Sequence, residues 1–163
     1  LVLHQVTFRE LFNASMILEI GVIEAAVDNA DADDLAALEA NQKQAEAAVD
    51  DPVRLAEIDT NFHALLARAS GNRVLELARE PAALLFFPTS ELICRRVPQG
   101  AGRMVTAHRH MIDAVASRDK ETARVWTRRH LVDWRKGFER AGRDIDEPVE
   151  RIFERLSTAR QYS

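Results

Sequence analysis

The central part of the sequence carries the strongest structural signal, a set of apolar residues that recurs at steps of three and four. Its members are Leu55, Ile58, Phe62, Leu66 and Ala69. This spacing is typical of a helix with one buried face. Asp51-Pro52 supplies a helix cap followed by proline at the first helical position, and Gly71 ends the pattern. The stretch therefore predicts an amphipathic helix that starts at Pro52.

The same reasoning predicts helices on both sides of this one. Thr7 to Glu10 matches a capping box for a first helix that ends near Asp28. Asp31 or Asp33 caps a second helix that runs to about Val49. The chain is therefore expected to reach its central helix after two helices of moderate length.

Beyond Gly71 the pattern is interrupted by prolines. Asn72 caps a helix, but Pro81 and Pro88 predict a break or kink, so 82–97 should be one bent helix or two short ones. Residues 98–102 are predicted as a loop, followed by helices over about 103–118, 119–142 and 148–160. The fold class is therefore all-α, an antiparallel bundle of about six to eight helices.

Composition limits the function. The 163 residues suit a single domain, and 22 basic against 26 acidic residues give a net charge of −4, the wrong sign for gripping a phosphate backbone. Cys94 is the only cysteine, which excludes an intrachain disulfide and fits a reducing, cytoplasmic setting. The longest apolar run, 82–87, is too short to cross a bilayer, and no signal peptide is evident.

Three histidines share one property: each lies in the apolar stripe of a different predicted helix. They are His63, His108 and His130, whereas His110 should face outwards from the helix of His108. Asp59 lies one helical turn before His63, and a buried carboxylate must be paired, hydrogen-bonded or bound to a metal. One aspartate and three imidazoles could bind zinc, nickel, cobalt, manganese or iron. Hydrogen-bonded core histidines are the alternative interpretation.

The motif around these residues resembles a known family. Asp59-x-x-Phe62-His63-x-x-Leu66-x-x-Ala69-x-Gly71-Asn72-x-x-Leu75 is similar to the signature of the FCD domain, the C-terminal ligand-binding domain of FadR-type GntR transcription regulators. The later run resembles the second half of that signature; it contains His108-Arg109, Ile112, Arg118-Asp119, Ala123 and Arg129-His130-Leu131. The resemblance covers about residues 8–140.

The resemblance implies a homodimerising bundle of six or seven helices that, in many members, contains a metal and senses a small carboxylate. By motif, the metal ligands would be Asp59, His63, His108 and His130, and zinc or nickel would be the first expectation. It also implies that a winged helix-turn-helix domain precedes Leu1 in the complete protein. That absent domain, rather than residues 1–163, would bind DNA.

Two positions depart from the family pattern. An arginine that can pair with the effector carboxylate is replaced by Ser15, four residues before Glu19, and the acidic residue usual before the second-half histidine is Ala107. Ser15 and Glu19 remain candidate effector contacts, and Arg95 or Arg96 could supply the missing cation.

Two other functions fit the same residues. A metal with an open position could activate water in a hydrolase, for which Glu19 is the best candidate base. A metal with four protein ligands could also be purely structural and stabilise a dimerisation domain. The sensor remains the leading hypothesis, and it is not an enzyme.

Overall fold

The computed structural model describes residues 5–149, without the side chains of residues 84 and 85. These residues form six helices: α1 Phe8–Asn29, α2 Ala32–Ala47, α3 Pro52–Ala69, α4 Arg73–Arg96, α5 Gly100–Ala116 and α6 Lys120–Arg140. The predicted all-α fold is confirmed. Most of the helix predicted over about 148–160 lies outside the described residues.

Side-chain caps begin five of these helices at the residues that the sequence indicated. Thr7 and Asp31 form capping boxes with Glu10 and Asp34. The other three caps are Asp51, Asn72 and Asp119, each accepting a hydrogen bond from a backbone N–H in the first turn. Helix α5 differs, because Gln99 precedes it in the left-handed region at φ 62° and makes no side-chain cap.

One predicted boundary was wrong, and of the two alternatives given for 82–97 the structure has a single helix. Helix α5 starts at Gly100, so the loop predicted over 98–102 is shorter than expected. Helix α4 runs without a break from Arg73 to Arg96 and contains both Pro81 and Pro88. Pro81 has no N–H to donate to the carbonyl of Leu77. Leu77 is exposed, so a water molecule can donate to this carbonyl instead.

The helices pack around an interior that has three apolar clusters. Helix α3 packs against α2 and α4, α5 packs against α6, and α1 contacts α3, α4, α5 and α6. The buried faces of α1, α3, α4, α5 and α6 therefore meet in the middle of the bundle. No helix within residues 5–149 is both long enough and apolar enough to span a bilayer.

The start of α1 is joined to the segment that follows α6. Thr7 and Pro148 form an isolated antiparallel bridge, and the backbone N–H of Val149 donates to the carbonyl of Val6 at 2.8 Å. Arg9 forms an ion pair with Asp146, with Nε 2.7 Å from Oδ1. The first and last described residues consequently lie side by side.

Candidate metal centre

Four side chains from three helices bring their ligand atoms together in the interior. They are Asp59 and His63 from α3, His108 from α5 and His130 from α6, and one ligand atom from each lies within 4.8 Å of all the others. All four side chains are buried. The i, i+4 spacing in α3 places Asp59 and His63 on one face, and the packing of α5 and α6 brings the other two.

The distances within the cluster suit a metal ion. Asp59 Oδ1 lies 3.2 Å from His108 Nε2, 3.8 Å from His130 Nε2 and 3.9 Å from His63 Nε2. Ligand atoms about 2.1 Å from a tetrahedral ion are about 3.4 Å from one another. The three distances from Asp59 Oδ1 therefore lie within about 0.5 Å of the spacing of such a ligand set.

The hydrogen bonding of the cluster is incomplete without an ion. Asp59 Oδ2 accepts a hydrogen bond from Ser90 Oγ at 2.7 Å, but Oδ1 is buried and has no hydrogen-bond partner among the described residues. Both ring nitrogens of His108 are also buried without a partner there. Because unpaired buried polar groups are destabilising, this arrangement fits a bound cation better than a self-sufficient polar core.

Aromatic rings fix the orientation of two imidazoles. His108 stacks on Phe62, with ring centroids 3.7 Å apart and planes 12° from parallel. His63 stacks on Phe86 at 5.5 Å and 5°. Both phenylalanines are almost fully buried, so the rings that present the nitrogens are held by the core itself.

Glu19 and Arg79 form a hydrogen-bonded chain on the Nδ1 side of His63, away from the cluster. His63 Nδ1 donates to Glu19 Oε2 at 2.9 Å, and Arg79 Nε donates to Glu19 Oε1 at 3.1 Å. Both charged side chains are at least 95% buried. In metal sites, a carboxylate on the far nitrogen of a histidine fixes the tautomer, and this arrangement would leave the Nε2 lone pair of His63 for an ion.

The carboxylates of the centre are held in the ionised form. Burial alone would raise the pKa of Asp59, but the three histidines outweigh it and lower that pKa. Burial likewise opposes ionisation of Glu19, and contacts with His63 and Arg79 nevertheless lower its pKa. Both carboxylates are therefore ionised at neutral pH, and the charge of Asp59 favours a cation among the three imidazoles.

The histidines differ in protonation. Burial would lower the pKa of His63, but Glu19 outweighs it and the pKa is raised. Burial lowers the pKa of His108, and burial with the neighbouring histidines lowers that of His130 to about 3. Without a metal, His63 can then donate from Nε2 to the neutral His130 Nε2, which lies 3.1 Å away. Metal binding must displace that proton.

A small cavity adjoins the cluster. Its volume is about 30 Å³, and its lining includes Asp59, Ser90, Cys94, Met104 and Trp134. This space accommodates a water molecule or one small group, but no larger molecule. Burial, followed by the charge of Asp59, raises the pKa of the Cys94 thiol to about 12, so that thiol is neutral.

The four candidate effector residues fall in two different places. Ser15 is buried on α1, and its hydroxyl has no hydrogen-bond partner among the described residues. Glu19 is occupied by His63 and Arg79. Arg95 and Arg96 are exposed near the end of α4, where Arg95 pairs with Glu91, and neither lines the small cavity.

Arg79 and Ser90 were missed by the sequence reasoning. Both lie on α4 in a stripe with Leu75, Ala82 and Phe86, at helical steps of three and four. A charged residue within an apolar stripe is a signal of a buried ion pair. The prolines of this segment hid that stripe, because they led to the expectation of a break or kink within it.

The bundle thus gathers one aspartate and three histidines that could hold a metal ion. In the comparison with protein families, the FCD domain model matches residues 10–133. The chain belongs to the FCD domain family, which supplies the ligand-binding domains of GntR-type transcription regulators.

A solved structure has the same fold. Streptococcus agalactiae GntR matches with a TM-score of 0.64 and 24% sequence identity, over 79% of this chain and 58% of that protein. The chain thus spans little more than half the length of this structural relative. The search of curated proteins found no match.

Proposed function

We propose that this domain senses a small carboxylate metabolite through an internal metal and passes the signal to an attached DNA-binding domain. The observation that supports the proposal best is the buried Asp59 Oδ1, which lacks a hydrogen-bond partner in the described chain while three imidazole nitrogens surround it. Membership of the FCD family supports the regulatory part.

The proposed ligands are Asp59, His63, His108 and His130. Three imidazoles and one carboxylate favour a divalent transition metal, with zinc or nickel first and manganese, cobalt or iron as alternatives. When bound, the ion would act as a Lewis acid that attracts an anionic oxygen ligand. Glu19 orients His63, and Ser90 holds the second oxygen of Asp59, so both would keep the ligands in place.

The effector would reach the metal through the small cavity beside Ser90 and Cys94. Its volume of about 30 Å³ admits one carboxylate group only if neighbouring side chains shift. Ser15 and Glu19 remain proposed contacts on the α1 side, and Arg95 or Arg96 would have to turn inwards to take part. A need for rearrangement on binding is what a sensor requires, because the effector must distinguish two states.

The rival functions have less support. A hydrolase needs a free general base, and Glu19 is instead held by both His63 and Arg79. A purely structural metal is the stronger rival, since the small cavity leaves little room for an additional ligand. Addition of carboxylates to the metal-loaded protein separates this rival from the sensor.

The regulator would work as a cytoplasmic homodimer. Ile17 on α1 and Val74 and Leu77 on α4 are apolar yet more than 60% exposed, and α1 and α4 pack against each other. Such side chains support a subunit interface on this side of the bundle. DNA would be bound by the winged helix-turn-helix domain proposed upstream of residues 1–163.

Elemental analysis tests the metal site directly. Protein purified without chelators or a histidine tag should contain about one equivalent of transition metal. His63→Ala and His130→Ala should lose it, whereas His110→Ala should keep it, because His110 stacks on Trp126 outside the cluster. Absence of metal in the parent, even after incubation with zinc or nickel, would contradict the proposal.

A thermal-shift screen tests the sensor. An effector at 100 times its dissociation constant should stabilise the metal-loaded protein by about 2.7 kcal/mol, and the shift should disappear in folded His63→Ala. If metal loading stabilises the domain but no small carboxylate adds to it, the structural role is favoured instead.

A further inference from the structure

A second and much larger cavity lies on the other side of His130. This outer groove has a volume of about 590 Å³ and is bordered by Gln99, Arg103, Trp126, Arg129, His130 and Asp133. Its size falls within the range of small-molecule sites, which is about 300–1,000 Å³. His130 and Asp133 also line the small inner cavity, so the two spaces share a wall.

The outer groove has a net positive charge, because two arginines and one aspartate border it. The guanidinium of Arg129 lies 5.0 Å from the ring centroid of Trp126, and Arg129 has no carboxylate partner within residues 5–149. Arg103 Nε lies 3.0 Å from each oxygen of Asp133. Its Nη2 is buried and has no hydrogen-bond partner there. Since Asp133 is neutralised by Arg103, the positive charge of Arg129 remains available.

His130 adds a donor at the base of the groove. Its Nε2 faces the cluster, 3.1 Å from His63 Nε2, and the opposite nitrogen Nδ1 makes no hydrogen bond to any described residue. The side chain is only about 9% exposed. With the lone pair on Nε2, the proton lies on Nδ1, which therefore seeks an acceptor from the groove side.

The N-terminus of α5 also favours a negatively charged ligand in the outer groove. Gln99 borders the groove and leaves the first turn of this 17-residue helix without a side-chain cap. Uncapped backbone N–H groups and the helix dipole favour negative charge near this end. The arginine pair, the histidine nitrogen and the helix terminus thus all favour the same kind of ligand.

We propose that the outer groove is a binding site for a small organic anion with one or more carboxylates, held by Arg129, Arg103 and His130 Nδ1. The site is separate from the proposed effector position on the metal, and binding there does not require the ion. An anion in this groove would supply to His130 the acceptor that Glu19 supplies to His63.

Calorimetric titration of the purified domain tests this site. Acetate, succinate and citrate are the probes, at constant ionic strength, with Arg129→Gln as the variant and Arg128→Gln as its matched control. Arg128 is exposed on the same helix, carries the same charge and does not border the groove. At least one probe should bind saturably, with about tenfold weaker binding in Arg129→Gln and less than about twofold change in Arg128→Gln.

Three results would overturn the assignment. The first is the absence of saturable binding at millimolar concentrations of all three probes. The second is an equal loss in Arg129→Gln and Arg128→Gln, which would mean general attraction to surface charge. The third is binding that disappears in folded His63→Ala but is unchanged in Arg129→Gln, which would place the anion at the inner site. Conversely, groove binding by a metal-free protein would support this site even if the metal proposal fails.

Discussion

Replacing Arg79 with methionine removes the cation that balances Glu19 in the interior. The two side chains are 5% and 2% exposed, and Arg79 Nε lies 3.1 Å from Glu19 Oε1. Methionine preserves most of the volume of the side chain but leaves Glu19 with His63 as its remaining charged contact. The variant therefore isolates the contribution of the buried positive charge.

The expected loss follows from this burial. Breaking a buried ion pair by removing one partner costs about 3–5 kcal/mol, and the remaining hydrogen bond from His63 favours the lower end, about 3 kcal/mol. For a domain of this size, about 1 kcal/mol lowers the melting temperature by about 2–4 °C. Arg79→Met should therefore lower it by about 6–12 °C.

Urea unfolding followed by circular dichroism measures the effect. Arg68→Met is the control, because Arg68 pairs with Asp34 at 3.4 Å while 55% exposed, and such a surface pair contributes at most about 1 kcal/mol. A third variant combines Arg79→Met with Glu19→Gln. Removing both charges should restore part of the stability, since no unpaired buried charge remains.

Two outcomes would refute the reasoning. One is a loss in Arg79→Met no greater than in Arg68→Met, which would mean that Glu19 does not depend on Arg79. The other is a double variant that loses as much stability as the two single variants together. In that case the two residues would not be coupled.

Three further predictions concern the metal, the packing and the dimer. The raised pKa of His63 means that Nε2 carries a proton below that pKa, and this proton must leave when a metal binds. Metal affinity should therefore fall about tenfold per pH unit below the pKa. Titrations that show equal affinity at pH 8 and pH 5.5 would contradict this. Gly137→Ala should lower the free energy of unfolding measured in urea, because the new Cβ would lie 2.8 Å from Ile93 Cγ2. In the control Gly21→Ala the new Cβ meets nothing within 4 Å, so this variant should be stabilised by up to about 1 kcal/mol. A similar gain in stability in both variants would argue against tight α4–α6 packing. Leu77→Lys should weaken the dimer measured by sedimentation equilibrium, whereas the control Val125→Lys on α6 should leave it unchanged. Equal dimerisation of both variants would exclude the proposed interface on α1 and α4.

The helices were predictable because their signals are local. Caps at Thr7, Asp31, Asp51, Asn72 and Asp119 act within one turn, so the sequence alone indicated where five helices begin. The errors arose where distant packing overrides local preference. Proline at positions 81 and 88 weakens a helix in isolation, but α4 continues because its buried face packs against α3 and α1.

The candidate site was predictable in part for a similar reason. Periodicity placed His63, His108 and His130 on inward faces, and the structure brings them together with Asp59. The partners behind them were not predictable by spacing alone. Glu19 and Arg79 are 60 residues apart in sequence, and their contact depends on how α1 and α4 cross.

By itself, the sequence determined the helical fold class, the five side-chain caps and the inward-facing positions of His63, His108 and His130, because each depends on neighbours within a few residues. Only the tertiary structure decided that Asp59 Oδ1 is left without a hydrogen-bond partner in the described chain, that the inner cavity is small and that a larger groove adjoins it. These properties depend on the distances between packed helices, and local sequence signals do not specify those distances.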